Sequence, residues 1–190
     1  MHDNIKKRIN IAAKRQPADL VIKNCKIVNV FIHEIIEGDI AISDGKIAAV
    51  GNYSGEKEVD AEGRYALPGF INSHIHIESS FVSPEEFSRL VVPHGTTTII
   101  ADPHEIVNVC GMDGFDYMVK AGENAALNIK YMLPSCVPCT PWEHAGAVVD
   151  SKAISEVINQ DKVFGMGEFM NTVGVINTDS EVIEKISLCH

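Results

Sequence analysis

The spacing of apolar residues changes character near residue 68. Residues 4–16 carry Ile5, Ile9 and Ala12 at helical spacing among basic residues, which predicts a short amphipathic helix ended by Pro17. The runs "DLVIKNCKIVNVF", "EIIEGDIAISDGKIAAVG" and "KEVDAEGRYALPG" follow, each rich in β-branched residues, partly alternating and bounded by turn formers. Asp44-Gly45 lies between two apolar runs and signals a hairpin turn. Residues 1–67 are therefore expected to form an N-terminal helix and a small β-rich module.

From Pro68 the strand-like runs are "GFINSHIH", "TTTIIAD", "IKYMLPS" and "KVFGMGE". Helical patterns separate them at 83–92, roughly 106–126 and 150–160, and another starts near Asp179. Ser83-Pro84-Glu85-Glu86 has the form of a helix start. Strands recurring about every 30 residues with helices between them imply β-α units and a parallel sheet. A closed (β/α)₈ barrel needs eight units and typically about 250 residues. The expected fold class is thus α/β, with residues 68–190 forming the first four β/α units of a barrel, truncated.

Composition narrows the partners. The 190 residues include 16 basic and 26 acidic side chains, a net charge of −10, which argues against a nucleic-acid or anionic-membrane surface. No apolar stretch approaches the roughly 20 residues of a membrane span, and the N-terminus lacks the apolar centre of a signal peptide. A cytoplasmic protein is expected. The five cysteines are an odd number, suggesting reduced thiols. Cys136 and Cys139 have C-x-x-C spacing, but Pro134, Pro138 and Pro141 mark a loop, and structural use is the simpler reading.

The candidate chemistry lies at strand ends, where barrel enzymes keep their catalytic groups. In "PGFINSHIHIESS", alternation places Phe70, Asn72, His74, His76 and Glu78 on one face. Ile71, Ser73, Ile75 and Ile77 share the other face, suited to apolar packing. Two imidazoles one residue apart can hold one metal ion. The second run ends in Asp102, His104 and Glu105, the third in Ser135 and Cys136, and the fourth in Glu168. Gly165, Met166, Gly167 and Phe169 flank Glu168 and point to a buried acid. Hydrolytic metal centres combine imidazole with carboxylate, and a carboxylate's two oxygens can bridge two ions. Asp102-Pro103 is equally readable as a turn, and Glu105 as an acid at the start of the next helix.

"LPGFINSHIHIESS" resembles the metal-binding start of the amidohydrolase superfamily, whose barrel follows a urease-like β module. "VVPHGTTTIIADPHEIVNVCG", "YMLPSCVP" and "GMGEFMN" are similar, more specifically, to the adenine deaminases, with the likeness running from about Asp19 to Ile176. The resemblance implies hydrolytic deamination of adenine to hypoxanthine and ammonia, with two divalent metal ions, Mn or Fe. It carries His74 and His76 over as metal ligands and Glu168 as the bridging carboxylate. Many relatives use a carbamylated lysine on that strand; Lys162 stands at the strand's start, so Glu168 is expected to serve. Asp102, His104 and Glu105 are assigned as second-site or substrate-facing groups: Asp102 and Glu105 to substrate, His104 and Glu78 to catalysis. A homo-oligomer is expected of the full-length protein.

The resemblance also sets Cys25 in a turn. Further histidine ligands from strands 5 and 6 and an aspartate from strand 8 would lie past His190, so these residues by themselves are expected to be weakly active or inactive. Two other readings stay open: an amidohydrolase acting on a cyclic amide such as a hydantoin, and a non-catalytic half-barrel.

Overall fold

The structure, a computed structural model, describes residues 2–140 and 142–189. The chain divides after Pro68 into two units, each with its own core.

In the first unit, α1 (His2–Ala12) precedes β1 (Ala18–Asn29), β2 (Glu34–Ser43), β3 (Lys46–Gly51), β4 (Gly55–Asp60) and β5 (Tyr65–Ala66). The sheet order is β3-β2-β1-β4, and β5 also pairs with β1. The hairpin between β2 and β3 turns at Asp44 and Gly45, both left-handed at φ 52° and 69°, as a two-residue turn matched to strand twist demands. Val21 and Ala41 pack with Ile11 of α1. Ile11, not Ile5 or Ile9, anchors that helix; the latter two stay about half exposed. The spacing of Ile5 and Ile9 is helical, but the sheet meets a different stripe. On the opposite face of the sheet, Ile22, Ile40 and Ile42 line an apolar cleft of about 820 Å³. Cys25 lies inside β1, not in a turn. The pairing register slips between Ile22 and Cys25, and the left-handed backbone at Asn24 (φ 56°) absorbs the extra residue.

Asp39 organises the polar side of this unit. Its carboxylate accepts hydrogen bonds from Lys23 Nζ at 2.6 Å, Asn24 N–H at 3.1 Å and Tyr53 N–H at 3.2 Å. Burial alone would push its carboxyl upward, but Lys23 and the two N–H groups outweigh burial and hold it below the usual 3.8. A carboxylate lowered in the folded state stabilises above its unfolded pKa and loses that contribution as pH falls through the folded value. At neutral pH, Asp39→Asn is expected to destabilise the chain by about 1.5–3 kcal/mol. In urea unfolding, the gap between variant and parent should shrink steadily as pH drops below 3.8. A gap that stays constant into acid would refute the role given to Asp39.

The second unit contains β6 (Phe70–Ile75), α2 (Pro84–Val91), β7 (Thr96–Ala101), α3 (His104–Cys110), α4 (Met112–Gly122), β8 (Asn128–Leu133), α5 (Ser151–Val157), β9 (Gly165–Met166), α6 (Thr172–Ile176) and α7 (Ser180–Ser187). The strands form one parallel sheet in chain order, β6-β7-β8-β9. Alternate residues Ile99 and Ala101 of β7 and Tyr131 and Leu133 of β8 are buried in one core with Phe87 of α2, Phe115 and Met118 of α4, and Ile154 of α5. This is the α/β arrangement of half a (β/α)₈ barrel.

Several expectations need correction. The single helix expected near 106–126 is two helices, broken at Gly111 (φ 63°, ψ −147°), a conformation that favours glycine. The fourth strand is only two residues long, and α6 was not anticipated. Strand alternation in the first run stops at Ile75: Ile77–Ser80 forms a 3₁₀ turn, so Glu78 leaves the strand's face. Ile77 reaches the core, but Ile71 is 66% exposed among the described residues.

Candidate metal centre

Parallel pairing in register brings the C-terminal strand ends to one rim. Ile75 pairs with Ala101, Ala101 with Tyr131, and Leu133 with Met166. The next residues along each strand are His76, Asp102, Pro134-Ser135 and Gly167-Glu168. The chain thus places groups from four segments, almost a hundred residues apart in sequence, at one edge.

Three side chains converge there. His74 Nε2 lies 3.7 Å from Glu168 Oε2, and His76 Nε2 lies 3.2 Å from Glu168 Oε1. The two rings meet edge to face, with centroids 4.9 Å apart. His74 and Glu168 are partly open to solvent, and His76 is more enclosed. The flanking glycines had suggested a buried Glu168, but its side chain is 41% exposed; the small residue at 167 serves another group, described below. Burial works against a charged His76, but the Asp102 carbonyl and the nearby carboxylates of Glu105, Asp102 and Glu168 overcome it, holding the ring above its ordinary pKa. A field of that sign favours any cation at the rim.

Asp102, by contrast, is fully buried and points inward. Its carboxylate accepts the Glu168 N–H at 3.0 Å and lies 2.6 Å from His104 Nδ1. His104 is 7% exposed, and its Nε2 has no protein partner. Glu105 is half exposed and accepts a hydrogen bond from Ser79 Oγ at 3.2 Å. A cleft of about 260 Å³ opens between His76, His104, Glu105, Asn108, Cys136 and Glu168, among other residues. Glu78 does not line that cleft; its Oε1 accepts the Ile106 N–H at 3.3 Å, and burial raises its carboxyl. Lys162 sits away from the rim, paired with Asp116 at 2.6 Å.

Ser135, named at the end of the third strand but given no role from the sequence, is buried, and its hydroxyl donates to the Glu168 carbonyl. Its place at the end of the third strand was the available signal. Cys136 and Cys139 carry no disulfide.

The three converging groups fit a divalent cation. Bonds of about 2.0–2.2 Å to one ion set its donors roughly 3–4 Å apart, and two imidazole nitrogens with carboxylate oxygens meet that condition here. His76, Asp102 and His104 also lie close together. They fit an ion poorly: His76 Nδ1 is taken by the Asp102 carbonyl at 2.6 Å, and the Asp102 Oδ1–His104 Nδ1 separation of 2.6 Å is shorter than that of two donors on one ion.

The chain forms a half-barrel of parallel β-α units with imidazoles and a carboxylate at its C-terminal rim, and residues 65–190 match the amidohydrolase family. The chain belongs to that family. It is 60% identical over 182 residues to adenine deaminase 2 of Desulfotalea psychrophila, covering 96% of this chain and 32% of that one. It is 55% identical over 181 residues to adenine deaminase of Ligilactobacillus salivarius, covering 95% and 31%. The chain therefore spans about a third of the length of these curated relatives. Among solved structures, a D-aminoacylase superposes with a TM-score of 0.58 at 18% identity, covering 91% of this chain and 42% of that one, a likeness of fold. No helix among the described residues is long and apolar enough to cross a membrane.

Proposed function

We propose that this chain builds one side of the active site of a metal-dependent hydrolase that converts adenine to hypoxanthine and ammonia. The observation that carries this is the meeting of His74, His76 and Glu168 at one rim from strand ends far apart in sequence. The 60% identity to an adenine deaminase supports the choice of substrate. His74, His76 and Glu168 would hold a divalent ion. Mixed imidazole and carboxylate donors suit Mn or Fe, and a second ion would share Glu168. The metal supplies a Lewis acid that brings the pKa of water toward neutrality.

In the overall reaction the C6–N bond of adenine breaks, a C6–O bond forms, and a proton from water leaves with the nitrogen as ammonia. His104 would carry that proton. Its Nδ1 lies 2.6 Å from the Asp102 carboxylate, and its Nε2, on a residue that lines the cleft, has no protein hydrogen-bond partner. Glu105, held by Ser79 on the same wall, is a substrate-facing group. A cytoplasmic homo-oligomer acting in purine metabolism completes the proposal.

The test uses the whole protein encoded by the reading frame that contains this chain, loaded with Mn²⁺ or Fe²⁺. Hypoxanthine and ammonia should appear in equal amounts from adenine, while a hydantoin remains unchanged. Hydantoin opening without adenine turnover would replace this proposal with a cyclic amidohydrolase.

A further inference from the structure

We infer that Asp102 is the positioning residue of this metal centre, one buried side chain and its carbonyl aligning two of the three groups that would hold the cation. The inference rests on the metal-binding role given above to His74, His76 and Glu168.

The backbone carbonyl of Asp102 lies 2.6 Å from His76 Nδ1. A carbonyl oxygen can only accept, so the hydrogen sits on Nδ1. The neutral ring then presents its lone pair at Nε2, the atom 3.2 Å from Glu168. One hydrogen bond thus sets both the tautomer and the orientation of the ligand.

The carboxylate of the same residue secures the opposite partner. Strand β9 ends at Met166, and the last ladder-type hydrogen bond beyond it runs from Gly167 N–H to the Leu133 carbonyl at 2.8 Å. At Glu168 the sheet no longer supplies partners. Two buried side chains do so instead: Asp102 Oδ2 accepts its N–H, and Ser135 Oγ donates to its carbonyl. Holding the N–H and the C=O of one residue fixes the two peptide groups that flank its Cα, and so aims the side chain.

Gly167 explains how Asp102 gains access. A Cβ built there would stand 2.1 Å from Asp102 Oδ2 and 2.6 Å from its Cγ, so the carboxylate occupies the space a larger residue would fill. Full burial of Asp102 removes it from contact with a substrate in the cleft and leaves its role among protein groups.

The experiment titrates Co²⁺ into the whole protein encoded by the reading frame that contains this chain, and into its Asp102→Asn, Ser135→Ala and His74→Ala variants, reading affinity and the visible ligand-field spectrum. Metal-free thermal unfolding is measured alongside. Outer hydrogen-bond partners of metal ligands typically govern affinity by about 10–100-fold. Asp102→Asn, similar in shape, is expected to lose that much and to shift the spectrum; Ser135→Ala should lose less in the same direction. If Asp102→Asn fails to fold, Ser135→Ala decides: a folded variant with parental affinity and spectrum overturns the inference. Parental behaviour of a folded Asp102→Asn overturns it equally, while His74→Ala still weakens binding. A parent chain that binds no Co²⁺ defeats the metal centre itself, a separate result.

Discussion

Replacing His74 and His76 together by alanine is expected to abolish metal binding at the proposed centre almost completely. Glu168 alone would remain of the three converging donors, and one carboxylate at a partly open rim competes poorly with water for a divalent ion. The loss should exceed the about 10–100-fold typical for outer partners, because here the proposed ligands themselves are removed. Folding should suffer little. His74 is nearly half exposed, and neither ring belongs to the core around Phe115 and Leu133. The hydrogen bond to the Asp102 carbonyl is lost, worth about 1 kcal/mol, along with the solvent-screened contacts to Glu105 and Glu168. The measurement is metal per chain by elemental analysis after dialysis against dilute Mn²⁺, paired with urea unfolding of the metal-free forms. Unchanged metal content in a folded double variant would mean that the ions sit elsewhere.

The second large effect is expected from a single methyl group. Gly167→Ala would place a Cβ within 2.1 Å of a fully buried carboxylate, with Asp102 Oδ1 also at 2.8 Å. No flexible side-chain end can swing aside, since Asp102 is held by Glu168 N–H and faces His104. Either that hydrogen bond breaks or the strand end moves. Overpacking of this kind costs about 1–3 kcal/mol, and metal affinity should fall with it as Glu168 loses its support. Two neighbouring variants make the prediction specific. Gly165→Ala meets only the flexible end of Met132, at 3.2 Å, and should be far milder. In an Asp102→Ala background the obstacle is gone, so adding Gly167→Ala should cost much less than it does alone. Additive losses in that cycle would show that the carboxylate and the glycine do not share one space.

Much of the fold was legible because short-range rules governed it. Asp44-Gly45 forms a hairpin through its own backbone preferences, and Pro84 opens α2 because proline suits a first helical turn. Gly111 was the missed local signal: it permits the left-handed backbone that separates α3 from α4, yet amphipathic spacing continues on both sides and conceals the break. Ile71 misled for a different reason. Its pattern is that of a packed strand face, but whether a face is covered depends on elements outside the run, and among the described residues Ile71 is 66% exposed.

The candidate site divides along the same line. The chain's own order of residues determined that two histidines would stand on one face near a strand end, and that an acid would follow the fourth strand, since strand alternation and the β-α period are local and repetitive. Only the tertiary structure decided which polar residues face the rim and which turn inward. Asp102 and Glu105 are alike on paper, three residues apart after one strand, but one is enclosed by Gly167, His104 and the Glu168 backbone while the other opens onto the cleft. That difference is created by contacts across 66 residues of chain, and no periodicity within a single segment encodes such a meeting.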